Sequence, residues 1–206
     1  MDVQGNLGQK QSWNAHFRSA IRGKTRILLA WIFGIALVLS ARHFPSWPGI
    51  GVCFIGATIR FWASGYLRKD SRPAVGGPYA FVRNPLYLGT FLMAIGTALA
   101  IENYVLFGVS SALFAVIYHY IILDEEEKLQ RIFGEPYVHY CKLVPRFVPR
   151  VLPPKATELD LVNPDRTHRA YSYSITMKNK AYEAYAAFAA LIGFVWIVAA
   201  VWQRFT

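Results

Sequence analysis

The sequence predicts an all-α integral membrane protein with about five transmembrane helices, and three observations carry that reading. Of the 206 residues, 54% are hydrophobic and only 17% are charged. With a mean hydropathy of +0.27, the chain is too apolar for an ordinary soluble domain. The apolar residues come in long runs, and two of these runs are joined by only four residues, as an antiparallel hairpin requires. The basic residues are one-sided: once the chain is folded back at each run, 19 of its 22 Lys and Arg share a face.

Residues 1–26 are polar and end in the basic cluster Arg18, Arg22, Lys24 and Arg26. Ile27 to Ala41 is uncharged and short for a span, but Arg26 and Arg42 extend its reach by snorkelling to opposite interfaces. The polar stretch before it is too long for a signal-peptide n-region, so an uncleaved first helix is expected. Trp47 to Leu67 is the second span, with Trp47 and Tyr66 as interfacial anchors. Arg60 interrupts it. Such an arginine either faces protein or a wet cavity, or snorkels to the near boundary, and the sequence leaves both open. Arg68 to Arg83 is a polar loop with the turn signal Gly76-Gly77-Pro78.

The hairpin follows, in Pro85 to Ala100 and Val105 to Leu123. Each run is long enough, or nearly so, to cross ~30 Å of hydrocarbon at ~1.5 Å per residue. Ile101-Glu102-Asn103-Tyr104 permits only a tight reversal. Glu125 and Glu126 therefore return to the face where Arg83 and Asn84 begin.

After Gly134 the chain is mixed and basic. The stretch VPRFVPRVLPP suits a segment lying on the bilayer surface, and 155–180 reads as a solvated cytoplasmic linker. Ala181 to Trp202 is a fifth apolar helix. Three parts result: a membrane core at 1–154, the linker at 155–180 and a C-terminal transmembrane helix at 181–206. The positive-inside rule puts the N-terminus in the cytoplasm, with only Arg42 and Arg204 outside and Arg60 within a span. Topology thus accounts for the net charge of +10, and no nucleic-acid partner is expected. Cys53 and Cys141 offer neither a disulfide framework nor metal spacing, so no metal is expected. No GxGxxG follows a strand pattern.

The chemistry sits at the mouth of the hairpin. Asn84 is a preferred N-cap and Pro85 a preferred first helical residue. That pair is a well-made helix start, and with Arg83 it also makes a carboxylate or phosphate site. Tyr87 and Gly89 lie just inside, where a glycine would let a ligand approach the backbone. Further on, Asp124 with Lys128 and Glu127 with Arg131 have the spacing of ordinary helix pairs. Glu125 and Glu126 have no cation four residues ahead, which makes them the candidate ligand-binding acids. Gly134 reads as the residue that ends this helix.

These residues resemble a known family. Arg83-Asn84-Pro85-Leu86-Tyr87-Leu88-Gly89 is similar to the RHPxYxG motif of the isoprenylcysteine carboxyl methyltransferase and phospholipid N-methyltransferase family. Glu125-Glu126-x-x-Leu129, Phe133-Gly134-x-x-Tyr137-x-x-Tyr140 and Val144-Pro145-Arg146-Phe147-Val148-Pro149 resemble its second motif. The resemblance covers roughly residues 50–150 and implies a membrane methyltransferase using S-adenosylmethionine at a cytoplasmic cofactor mouth. It implies Arg83, Asn84, Pro85, Tyr87, Gly89, Glu125 and Glu126 as cofactor positions, and a lipid-like or prenylated acceptor carrying a carboxylate or an amine. Arg60, Tyr137 and Arg146 are the candidate catalytic residues, with Tyr87, Tyr137 or Tyr140 offering a ring face to the sulfonium. The expected location is the inner or plasma membrane of a bacterium. Asn84 replaces the family histidine, so any role needing an imidazole is lost. Two other readings stand beside this one, an NADPH-dependent membrane reductase with a similar hairpin core and a non-catalytic scaffold of the same fold.

Overall fold

A computed structural model describes residue 35 and residues 39–68 and 72–205. Residues 1–40 form a unit of their own, so the first expected span lies almost wholly outside the described residues. The second unit, 41–206, is helical, with no strand among its described residues. Its helices are α1 (Trp47–Ser64), α2 (Pro85–Ala100), α3 (Tyr104–Phe133), α4 (Glu135–Leu143), α5 (Ala156–Val162), α6 (Tyr173–Lys178) and α7 (Glu183–Phe205), with a 3-10 turn at Gly77–Ala80.

The closest packing is between α1 and α2, which run antiparallel. The Ser46 amide donates to the Ala100 carbonyl at 2.9 Å, so the start of α1 meets the end of α2. Three small-residue contacts then step along the pair. A methyl group added to Gly49 would lie 2.2 Å from the Ala100 nitrogen, one on Gly96 2.4 Å from the Cys53 nitrogen, and one on Gly56 2.5 Å from the Gly89 carbonyl oxygen. Helices approach this closely in membranes because apolar side chains gain little over lipid, whereas backbone contact gains dispersion.

The hairpin forms as the sequence indicates. Ile101, Glu102 and Asn103 alone separate α2 from α3, and Glu102 takes the left-handed φ of +59° that the reversal requires. The Asn103 side chain caps α3 by accepting from the Leu106 amide at 3.0 Å. The 30 residues of α3 span ~45 Å and carry its apolar run straight into the acidic one. Gly134 ends it at φ +63°, as expected for a residue with no Cβ penalty. Two described helices, α3 and α7, are long and apolar enough to cross a membrane, and α2 is a shorter apolar helix.

The stretch 155–180 differs from the solvated linker expected of it. It folds as α5 and α6, with Asn163 and Thr176 fully buried, and it clamps the loop after α1. Asn179 Nδ2 donates to the carbonyls of Ser64 and Leu67, both at 2.8 Å. Asn163 Nδ2 donates to the Pro73 carbonyl at 3.2 Å. These two asparagines face backbone carbonyls rather than water, a pattern that composition does not register. Leu159 and Val162 complete a hydrophobic core with Val75, Ala80, Tyr137, Tyr140 and Val144. Against α1, α7 packs through Tyr185, whose hydroxyl lies 3.2 Å from Thr58 Oγ1.

Candidate functional site

Glu126 is the centre of the site. It lies on α3 just beyond the apolar run, and its side chain is 10% exposed. Arg83 Nε and Nη2 both reach Glu126 Oε1 at 3.0 Å, and Arg146 Nε reaches Oε2 at 2.9 Å. Asn84 Nδ2 adds a contact to Oε1 at 3.3 Å and donates to the Arg146 carbonyl at 3.0 Å. One carboxylate thus ties the start of α2, the end of α3 and the segment after α4. The sequence expectation was of an acid lacking a cation. Glu126 does lack one at i+4, but it has two from distant segments, and both its oxygens are engaged within the protein.

Arg83 is spent as well. Besides Glu126 it donates through Nη1 to the Cys141 carbonyl at 2.7 Å, and its side chain is 8% exposed. It was expected to meet a ligand carboxylate, yet these three nitrogens face protein acceptors. Arg146 differs. Only its Nε is committed, to Glu126, and its side chain is 40% exposed. Its terminal nitrogens are therefore left with donors to offer at this mouth.

Asn84 occupies the N-cap position of α2, with Pro85 following, but its side chain caps nothing. Its amide turns instead to two acceptors, Glu126 and the Arg146 carbonyl. That choice fixes Nδ2 toward them and leaves Oδ1 as the remaining acceptor. Glu125 is half-buried, and among the described residues it has no ion pair, while Glu127 pairs with Arg131 as its spacing predicts.

Gly89 does not open a path for a ligand. A methyl group there would lie 2.6 Å from both the Gly56 carbonyl oxygen and Arg60 Cγ, so the glycine serves the α1–α2 contact. Arg60 crosses that contact. Its Nη1 donates to the Leu86 carbonyl at 3.3 Å and to Thr90 Oγ1, one turn from the start of α2. Of the two readings left open by the sequence, the structure gives the one in which Arg60 faces protein.

Tyr137 and Tyr140, expected to show a ring face to a sulfonium, are 3% and 2% exposed and belong to the core. The Tyr140 hydroxyl donates to the Tyr79 carbonyl at 2.7 Å. Burial pushes both phenols above their ordinary range, helped at Tyr137 by the Glu126 charge and at Tyr140 by Tyr79. Burial also raises the Cys141 thiol, against the opposing pull of Arg83.

An aromatic floor, unforeseen in the sequence, lies below the charges. Tyr118 stacks on Phe114 with ring centroids 3.7 Å apart, Tyr87 meets Tyr118 edge-on at 5.4 Å, and Phe91 lies 4.9 Å from Phe114. Phe147 reaches the same cluster at 5.7 Å from Phe91. The signal for it was the i+4 spacing of Tyr87 with Phe91 and of Phe114 with Tyr118, one pair on each arm of the hairpin. Among the described residues, no three His, Cys, Asp or Glu side chains group as a metal site.

The family model for phospholipid methyltransferase matches residues 29–136. A protein-S-isoprenylcysteine O-methyltransferase of Schizosaccharomyces pombe is 35% identical over 179 residues, covering 70% of this chain and 74% of the relative. The human protein-S-isoprenylcysteine O-methyltransferase is 38% identical over 96 residues, covering 46% of this chain and 32% of the relative. The nickel-cobalt-cadmium resistance protein NccN of Alcaligenes xylosoxydans xylosoxydans is 30% identical over 105 residues, which is 50% of this chain. The chain spans 47% of that relative's length. No solved structure matches. The two motifs joined at Glu126, the apolar helices and the match over half the sequence lead to one conclusion: the chain belongs to the phospholipid methyltransferase family, which includes the isoprenylcysteine methyltransferases.

Proposed function

We propose that this chain transfers a methyl group from S-adenosylmethionine to a lipid-like or prenylated acceptor at the cytoplasmic face of a membrane. In this reading the described α1, α2, α3 and α7 and the expected span at 27–41 make five spans, with the N-terminus in the cytoplasm. The carrying observation is the Glu126 junction, which brings the two family motifs into hydrogen-bond contact.

The residues present fit the cofactor by the chemistry of their donors. The exposed fork of Arg146 suits a carboxylate, Glu125 suits an ammonium, and Asn84 Oδ1 suits a ribose hydroxyl. When bound, S-adenosylmethionine supplies an electrophilic methyl on a sulfonium. The chain's own contribution is to position and to exclude water, since an in-line displacement needs mainly close and aligned reactants. Glu126 and Arg83 hold the mouth rigid without touching ligand. Arg60 fixes the first turn of α2, and Tyr87 is the one tyrosine of the expected three whose ring lies outside the core. The floor of Phe91, Phe114, Tyr118 and Phe147 suits the apolar part of an acceptor, and an open side of the hairpin would admit it from lipid. Asn84 supplies hydrogen bonds but cannot accept a proton at neutral pH, so the site suits an acceptor already ionised as its nucleophile, a carboxylate or thiolate.

The test is methyl incorporation by purified protein in detergent, with methyl-labelled S-adenosylmethionine and either farnesylcysteine or phosphatidylethanolamine. Label in the acceptor fraction supports the reading. Absence of label with both, together with oxidation of NADPH by a sterol-like acceptor, would favour a reductase instead.

A further inference from the structure

The segment after α4 leaves apolar side chains outside the protein core. Val148 is 75% exposed, Val151 91% and Leu152 71%, and Pro149 and Pro153 between and beside them are exposed too. Such a run is not loose chain. The Arg150 amide donates to the Phe81 carbonyl at 3.0 Å, and the Arg150 Nη1 donates to the Leu143 carbonyl at 2.7 Å. At its start, Arg146 is bonded to Glu126 and Phe147 lies 6.3 Å from Phe114.

We propose that residues 148–153 are an interfacial anchor seated in the headgroup layer of an anionic bilayer. The inference rests on reading α3 and α7 as spans, because Arg146, bonded to Glu126 just beyond the apolar run of α3, starts the segment where that run ends. Its backbone suits that depth. Irregular chain is excluded from the hydrocarbon centre but not from the interface, and the prolines at 149, 153 and 154 remove donors that would need water. Charge complements the surface as well, since Lys142 and Lys155 are exposed at either end and cations near an anionic leaflet are drawn to it. Arg146 belongs to the same rigid piece, so the anchor sets the height of the site above the membrane.

The experiment is spin-label accessibility of the full chain in nanodiscs of phosphatidylcholine with a minority of phosphatidylglycerol. The background carries Cys53→Ala and Cys141→Ala, and single labels are placed by Val151→Cys, by Phe194→Cys within α7 and by Thr157→Cys on exposed α5. Oxygen partitions into lipid, whereas a nickel chelate stays in water. The proposal expects the Val151 label to fall between the other two, with more oxygen and less chelate relaxation than Thr157 and less oxygen and more chelate relaxation than Phe194. Omitting phosphatidylglycerol should shift the Val151 label toward chelate access and leave Phe194 unmoved. A Val151 label as open to the chelate as Thr157 in the anionic discs overturns the anchor. So does one shielded from both reagents, which would mean that protein covers it. A Phe194 label open to the chelate overturns the reading of α7 as a span, and the anchor with it.

Discussion

Arg83 and Glu126, 43 positions apart, form a buried two-donor contact in which Nε and Nη2 share one carboxylate oxygen at 3.0 Å. Their side chains are 8% and 10% exposed. An ion pair at that depth gains little over a well-packed apolar pair, but removing one partner is costly because the other stays charged and buried.

Glu126→Gln is therefore a stability variant first. It leaves Arg83 and Arg146 facing a neutral amide, and the expected loss is about 3–5 kcal/mol. Chemical unfolding in detergent measures it, and an unfolding curve unchanged from the parent would mean that Glu126 does not hold the three segments together.

Gly89→Ala and Gly51→Ala should move stability in opposite directions. The added methyl at Gly89 meets Gly56 and Arg60, whereas at Gly51 it meets nothing within 4 Å. Overpacking at Gly89 should cost about 1–3 kcal/mol, while Gly51→Ala gains up to about 1 kcal/mol of helix propensity. Thermal unfolding of the two variants side by side decides it, and equal shifts would contradict the close α1–α2 approach.

Tyr140 gives the protein an alkaline limit. Its phenol is buried, and its folded value lies well above the ordinary value of 10.0. Only the unfolded chain ionises it near that pH. The neutral phenol's contribution is thus fully present below about pH 10 and declines as pH rises through the gap between the unfolded and folded values. Unfolding free energy followed from pH 8 to 11 should fall beyond 10, and Tyr140→Phe should flatten that fall while losing about 1 kcal/mol from the bond to Tyr79. A fall just as steep in Tyr140→Phe would assign the effect elsewhere.

What the sequence made legible was what neighbours in the chain decide. The four-residue reversal, the Gly134 stop, the Glu127–Arg131 pair and the meeting of Arg83 with the acidic run all follow from local spacing or from hairpin geometry. Contacts set by packing between distant segments were not legible. Periodicity shows that Glu126 has no cation at i+4, but not that Arg146, twenty residues later, folds back onto it. Gly89 looks the same in sequence whether a ligand or Gly56 lies against it. Tyr137 and Tyr140 share one face of α4, which marks a core as readily as a binding surface. The polar stretch 155–180 reads as solvated because composition does not record that Asn163 and Asn179 satisfy backbone carbonyls.

The central claim is that the mouth around Arg146 and Glu125 binds S-adenosylmethionine while Glu126 only holds it in shape. Calorimetric titration of S-adenosylmethionine into the parent and into Glu125→Gln, under one detergent condition, tests this most directly. The parent should bind, and Glu125→Gln should unfold like the parent yet lose a charge-assisted bond worth ~1.5–3 kcal/mol, roughly ten- to hundredfold in affinity. Equal affinity in the two proteins, or binding of NADPH and not S-adenosylmethionine by the parent, would contradict it.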